Sequence, residues 1–447
     1  MQKKQLKLGL SLVSNGTHPS GWRLPQAAAD CALDFKFWKN IALAAERASI
    51  HFIFFADGAA VRSAAADNDS LQYVGRIEQF EPTTLIAALS AVTGHIGYIA
   101  TASTTYNEPY TIARKFASLD HLSGGRTGWN IVTSWSEAEA KNYNRESHLA
   151  HDLRYRRAQE FVEVVTGLWD SWEDDAFLRD KASGRYIDTN KMHVLHHKGE
   201  HFHVRGPLNI ERPVQGWPVI AQAGSSGPGQ EIGARFADLV YTAQNDKQAA
   251  RAFYAEIRQK AVAFGRAPSA LNVMPGILPI IGHSRQEAKD KYDALQQLVH
   301  PQLGLTALAT KFGDMSAYPL DGPIPHDFPQ SNGIRSATDI LDRARARGLT
   351  IRQLYQSMIG GAGHLEIHGT AEDVADQIAD WFQDEACDGF NIMAPYFPAG
   401  LTDFLDQVVP ILQRRGLFRT AYEGSTLREN LHVTRPAHPA ASGSEAA

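Results

Sequence analysis

Apolar runs of strand length alternate with amphipathic segments of helix length along most of the chain. LKLGLSL (residues 6–12) is a short apolar run, and FWKNIALAAERAS (residues 37–49) spaces its apolar residues along one helix face. HFIFFAD ends a second strand on Asp57, and TTLIAALSAVTG follows as helix. IGYIATAS ends a third on Ser103. The helical YTIARKFASLDHLSGG then stops at Gly124 and Gly125, because glycine is the favoured helix terminator. Residues 127–133 form the fourth strand, followed by a long helix around residues 155–172. WPVIAQAGSS, ADLVYTA, NVMPGILPIIG and GFNIM supply the fifth to eighth strands, and a last helix covers residues 401–416. Strict alternation implies a parallel sheet, and about eight βα units favour a closed (β/α)8 TIM barrel, an α/β fold.

Two stretches interrupt the pattern. MHVLHHKGEHFHVRGPLNI, before the fifth strand, reads as a hairpin turning at Lys198 and Gly199. Residues 301–369, after the seventh strand, include AYPLDGPIPHDFPQSNG, which cannot be regular helix or strand. The whole segment is expected to be a structureless lid, since long irregular segments in compact domains usually cover or bind something. Residues 1–430 are thus expected as one domain with insertions at about 173–215 and 300–369. The closing TRPAHPAASGSEAA places a disordered tail over 431–447.

The 447 residues exceed the usual length of one domain but suit a barrel with insertions. A hydrophobic content of 43% with 21% charged residues is that of a globular protein with a large core. The net charge of −5 argues against a nucleic-acid surface, which needs a basic stripe. Cys31 and Cys387 cannot build a disulfide framework, which suits a reducing compartment. The basic pair near the start precedes an apolar run too short and interrupted for a signal peptide. No run approaches the ~20 apolar residues of a membrane helix. A cytoplasmic protein without nucleic-acid or membrane partners is expected.

Parallel α/β proteins bind ligands at the C-terminal tips of their strands. Here those tips carry Asp57, Thr101, Ser103, Ser134, Trp135 and the run Ala223, Gly224, Ser225, Ser226. Solvated loops alone place polar residues at strand ends, but several tips converging on small donors suit a flat, polar, partly anionic ligand. Asp57 is the sharpest of them, because a carboxylate at the mouth of an apolar strand needs a partner. Glycines 224, 227, 229 and 233 approximate a dinucleotide fingerprint, yet the last comes one residue late and the unit is the fifth, not the first. Read mechanically, Ser225, Ser226 and free amides at a helix start make a phosphate cradle. His151 and Tyr155 stand i and i+4 on one helix face, equally readable as a surface pair or as ligand contacts. His196, His197, His201 and His203 have no carboxylate at metal-ligand spacing, so a solvated hairpin is expected and no metal site.

The stretches GGRTGWNIVTS, STTYNEPYTIARKFASLDHLS, FFADG, HDLRYRRAQEF and LWDSWEDDA resemble the bacterial luciferase-like flavin monooxygenases. Within them the likeness is to the branch of nitrilotriacetate monooxygenase, dibenzothiophene-sulfone monooxygenase and pristinamycin synthase. It runs from near Leu6 to about Glu429. The resemblance implies a two-component enzyme that takes reduced FMN as a diffusible cosubstrate and, with O2, passes through a flavin C4a-hydroperoxide. The substrate would be a small organic molecule such as a sulfone, amino-polycarboxylate or thioether. A separate NAD(P)H:flavin reductase and a homodimer or homotetramer are expected with it. Asp57 and Ser103 would lie near the isoalloxazine, and Ser134 and Trp135 would approach the flavin. His151, Tyr155 and the run 223–226 would hold ribityl and phosphate, with Thr101 and Asn130 completing the cofactor set. His18, in NGTHPSGWRLP, is the candidate catalytic acid or hydrogen-bond donor. The lid would keep water out of the cavity. A hydride-transferring flavin or deazaflavin oxidoreductase on the same barrel is the alternative, as is a flavin-binding barrel without oxygenase activity.

Overall fold

The computed structural model describes residues 4–61, 69–224, 226–327, 335–361 and 363–440. Its strands are β1 (Lys7–Leu12), β2 (Phe52–Phe55), β3 (Gly97–Ser103), β4 (Thr127–Val132), β5 (His197–Lys198), β6 (His203–Val204), β7 (Val219–Gln222), β8 (Leu239–Thr242), β9 (Asn272–Ile281), β10 (Leu365–Gly369) and β11 (Gly389–Met393). All pairings in the main sheet are parallel, in the order β1-β2-β3-β4-β7-β8-β9-β11, and β11 returns to β1 with Lys7 opposite Gly389. The eight expected strands therefore close a barrel. Gly9 shows how tightly it is filled. A Cβ there would lie 2.3 Å from the Phe52 ring and 2.5 Å from Asn391 Oδ1.

The helices are α1 (Phe35–Arg47), α2 (Pro82–Ser90), α3 (Pro109–Ser123), α4 (Glu137–Asn142), α5 (His151–Trp169), α6 (Gly227–Phe236), α7 (Lys247–Ala263) and α8 (Arg285–Gln297). After them come α9 (Pro301–Lys311), α10 (Arg335–Ala346), α11 (Ile351–Gln356), α12 (Ala371–Gln383), α13 (Ala399–Asp403), α14 (Val409–Arg414) and α15 (Leu427–Leu431). Gly124 ends α3 in the left-handed region at φ 67°, where its N–H bonds back into the helix, as the Gly-Gly pair predicts. The last long helix is interrupted by a π-helical turn over Phe404–Val408 just before Pro410. No helix among the described residues is long and apolar enough to cross a membrane.

Three expectations change. The segment 301–369 is not structureless: it carries α9, α10, α11 and β10. Val299, Leu308, Phe312, Met315, Leu341, Ile351 and Tyr355 form an apolar cluster of its own. Averaging composition across the Pro- and Gly-rich middle hid the helical spacing on either side. Of AYPLDGPIPHDFPQSNG, residues 317–327 form neither helix nor strand, as expected, and the remainder lies outside the described residues. Second, β10 is a strand the pattern missed. It pairs with the later half of β9, Leu365 opposite Ile277 and Gly369 opposite Ile281, so it extends the wall where β8 stops.

Third, residues 431–440 are not a disordered tail. Leu427, Leu431 and Val433 pack with barrel residues such as Phe52 and Leu239. Arg435 pairs with Asp174 at 2.6 Å, and His438 Nε2 donates to the Asp170 carbonyl at 2.9 Å. Charged groups in an Ala- and Pro-rich stretch found partners that composition alone does not reveal. Residues 441–447 lie outside the described residues.

The hairpin forms, with His197 opposite Val204. His197 Nε2 lies 2.9 Å from Glu160, whose carboxylate also accepts the His201 and Phe202 N–H groups. These bonds hold the Glu160 carboxyl below its usual range against the opposing effect of burial. Elsewhere Glu173, His193 and His438 bring ligand atoms within 4.8 Å of one another, a grouping the sequence did not announce. Both ring nitrogens of His438 are already engaged, by the Asp170 carbonyl and the Ala440 N–H.

Candidate active site

The C-terminal tips of β2, β3, β4, β7 and β8 surround a cavity of about 370 Å³, within the size range of cofactor sites. Each strand delivers its residue by the same rule: side chains alternate, so the last inward position of an apolar strand faces the mouth. Asp57, Thr101, Asn130, Ser134, Trp135, Tyr155, Ala223 and Gly224 all line it. Thr101 and Asn130 are linked, the Asn130 amide donating to Thr101 Oγ1 at 2.8 Å and Thr101 donating to the Phe55 carbonyl at 2.8 Å. Asp57 is the partnered carboxylate its position required: the Gln79 amide donates to it. Burial still raises its pKa, against the Gly58 N–H and Gln79.

Ser103 borders a smaller adjoining cavity of about 170 Å³. Its Oγ sits 2.9 Å from Ser134 Oγ. Trp135 stands at the mouth with 74% of its surface exposed. Ser226 caps α6 by accepting the Gly229 N–H, and its hydroxyl is 3.2 Å from Tyr155 Oη. Ser225 lies outside the described residues. His151 does not reach the cavity. It pairs with Asp152 at 3.1 Å, and its ring packs 4.8 Å from that of Tyr155. His18 is also outside this cavity, buried in the loop after β1. Its Nδ1 accepts the Ser20 N–H, which leaves the proton on Nε2, in the interior beside the Gln296 amide. Burial, aided by Arg76, lowers its pKa to about 4, so the ring is neutral at pH 7.

Several lining residues escaped the sequence. Glu139 of α4 is buried and accepts the Ala59 N–H at 3.0 Å, tying the β2 loop to the β4 tip. Arg154 donates to the Ser134 carbonyl at 2.9 Å, and Gln222 and Tyr241 line the wall from β7 and β8. Burial pushes the Tyr241 hydroxyl up to about 12. Gln222 and Tyr241 were legible as strand-tip positions, whereas nothing local marked Glu139 or Arg154.

A flavin fits this set of polar groups. Asn130 Oδ1, Gln222 Oε1 and Arg154 Nε are buried, lack partners and belong to cavity-lining residues. Such atoms carry a desolvation cost that a polar ligand relieves. Gly224 leaves room for the Gln222 amide, which a Cβ would approach to 2.3 Å and push aside.

Barrel, cavity and sequence point the same way. The model of the luciferase-like monooxygenases matches residues 13–388, and the chain belongs to that family. It is 49% identical over 439 residues to N-acetyl-S-(2-succino)cysteine monooxygenase of Bacillus subtilis (strain 168), covering 97% of this chain and 98% of that one. It is 48% identical over 441 residues to nitrilotriacetate monooxygenase component A of Aminobacter aminovorans, covering 97% of each. Among solved structures, riboflavin lyase with modified FMN and riboflavin superposes with a TM-score of 0.84 at 33% identity, over 98% of this chain and 99% of that one.

Proposed function

We propose that the protein is the oxygenating component of a two-component monooxygenase using reduced FMN. The overall reaction is substrate + O2 + FMNH2 giving oxygenated substrate + FMN + H2O, with FMNH2 supplied by a separate NAD(P)H:flavin reductase. The observation that carries this reading is the ring of strand tips with three buried, unpartnered polar atoms around one cavity. Family membership and the FMN of the riboflavin lyase structure support the choice of flavin. When bound, the flavin supplies the activation of oxygen; the protein binds, orients and excludes water. Ser226, Tyr155 and Arg154 would receive the phosphate end beside the α6 N-terminus. Asn130 and Gln222 would meet the ring's polar edge, and Asp57 and the Ser103–Ser134 pair would line its flank. Helices α9–α11 would form the lid.

The test is anaerobic titration with reduced FMN, followed by oxygen uptake and product analysis. Reduced FMN should bind more tightly than oxidised FMN, and the purified protein should be pale. A stoichiometric, tightly held oxidised flavin would count against a diffusible cosubstrate, and hydride transfer without oxygen uptake would count against oxygenation.

A further inference from the structure

A second cavity, of about 290 Å³, opens beside the first and shares Ala56 with it. The barrel contributes Ser14, beyond β1, and Ala56, beyond β2, while α9 contributes Leu303 and Ala307. Met358 and Gly360 complete it from the turn after α11, and Gly360 has φ +136°, a conformation that side chains rarely adopt. Three polar residues stand among these apolar walls: Ser14, Arg76 and Gln79. Ser14 donates to the Glu78 carbonyl at 2.9 Å, and Gln79 donates to Asp57 in the neighbouring cavity. Arg76 is the one charged residue lining the space among the described residues. Its positive field reaches His18, whose protonation it disfavours.

A guanidinium beside apolar walls is a recognition group for planar anions, above all carboxylates. We propose that this second cavity is the substrate site and that it selects small organic carboxylates, Arg76 receiving a carboxylate while the apolar body lies against Leu303, Ala307 and Met358. The shared wall at Ala56 then brings the oxidisable atom toward the strand-tip cavity. The assignment rests on the monooxygenase reading, because it takes the first cavity as the flavin's. It narrows the range of substrates, since neutral sulfides and sulfones offer a guanidinium no opposite charge.

The full-length protein can be titrated with two acids, N-acetyl-S-(2-succino)cysteine and nitrilotriacetate, and with their full methyl esters. Either acid should bind at least 10-fold more tightly than its ester. Arg76→Gln should weaken acid binding 10- to 100-fold and leave the ester within about twofold, and Arg76→Lys should recover part of the loss. Ala307→Trp, which fills the cavity from α9, should block acid and ester alike. Reduced-FMN affinity and peroxide release without substrate should stay at wild-type values in all three variants. Equal binding of acid and ester overturns the proposal, as does an equal loss of both in Arg76→Gln or failure of both acids to bind the wild type. If reduced FMN neither binds nor consumes oxygen, it is the monooxygenase reading that fails. If it does both and the acids ignore Arg76, the pocket assignment fails alone.

Discussion

Ser134 holds a φ of +56°, a left-handed conformation that costs a serine energy. In that conformation its hydroxyl reaches Ser103 and its carbonyl takes the Arg154 guanidinium, so the strained residue joins three parts of the cavity wall. The same wall includes Ser226, whose position sets a prediction. Ser226→Asp keeps a good helix cap for α6, so thermal stability without flavin should stay near wild type. A carboxylate ~4 Å from a bound phosphate repels it by about 1–4 kcal/mol in water-to-surface dielectrics. Affinity for FMN in fluorescence titration should therefore fall by roughly one to three decades, and unchanged affinity would remove the α6 N-terminus from the site. His18 gives a second test. Its pKa is depressed to about 4 in the folded state and is about 6.5 when unfolded, so the unfolded chain binds more protons between these values. Stability is therefore complete above pH 6.5 and is lost as pH falls toward 4. His18 alone accounts for about 2 kcal/mol of loss between pH 7 and pH 5. In His18→Asn the urea midpoint should depend less on pH across that range; an unchanged dependence would show that His18 is not buried in its neutral form.

At the scale of elements, the insert α9–α11 is a small packed unit with an apolar cluster of its own. Tyr73 stacks on His300 with ring centres 3.4 Å apart, and the Gln356 side chain donates to the Gln296 carbonyl at 3.1 Å. That last bond brings the two ends of the insert together, so a short linker can replace residues 300–357 while leaving β10 in the wall. The barrel should remain folded, since the insert's apolar cluster is separate from the main core. Reduced FMN should still bind and consume oxygen, while water entering the cavity diverts the reaction to hydrogen peroxide. The ratio of peroxide to product, at matched flavin supply, should rise several-fold; an excised protein as well coupled as its parent is incompatible with a lid. The helices themselves were legible in principle, because apolar residues recur at helical spacing through 301–311 and 335–359. What no local pattern revealed is that they fold on each other, a matter of contacts between segments about forty residues apart.

Across the whole molecule, the C-terminal segment closes the N-terminal end of the barrel. Arg428 is buried and grips Asp238 with two hydrogen bonds of 2.9 and 2.7 Å, while its Nε donates to the Trp217 carbonyl. Removing one partner of such a pair strands the other charge in the interior. Arg428→Met should lower stability by roughly 3–5 kcal/mol in urea unfolding, whereas loss of less than ~1 kcal/mol would mean the pair is solvated. Reduced-FMN affinity under native conditions should hold, because the strand tips that line the cavity lie at the opposite end of the strands.

The sequence by itself determined the order of eight strands, their parallel direction and the polar residues at their tips. Those properties follow from alternation and from short-range turn chemistry at residues such as Gly124. Tertiary structure decided which tip residues meet. Thr101 and Asn130, separate in the sequence, are hydrogen-bonded to each other, while His151 packs on Tyr155 and pairs with Asp152 without lining the cavity. It also put Glu139, Arg154 and Arg76 in cavity walls, charged residues on helices and loops that look like solvated surface until the chain folds over them. β10 belongs with them: LEIHG becomes a strand because the later half of β9 offers an unpaired edge to it. A periodic pattern records what each segment hides from water, and it carries no record of which distant segment does the hiding.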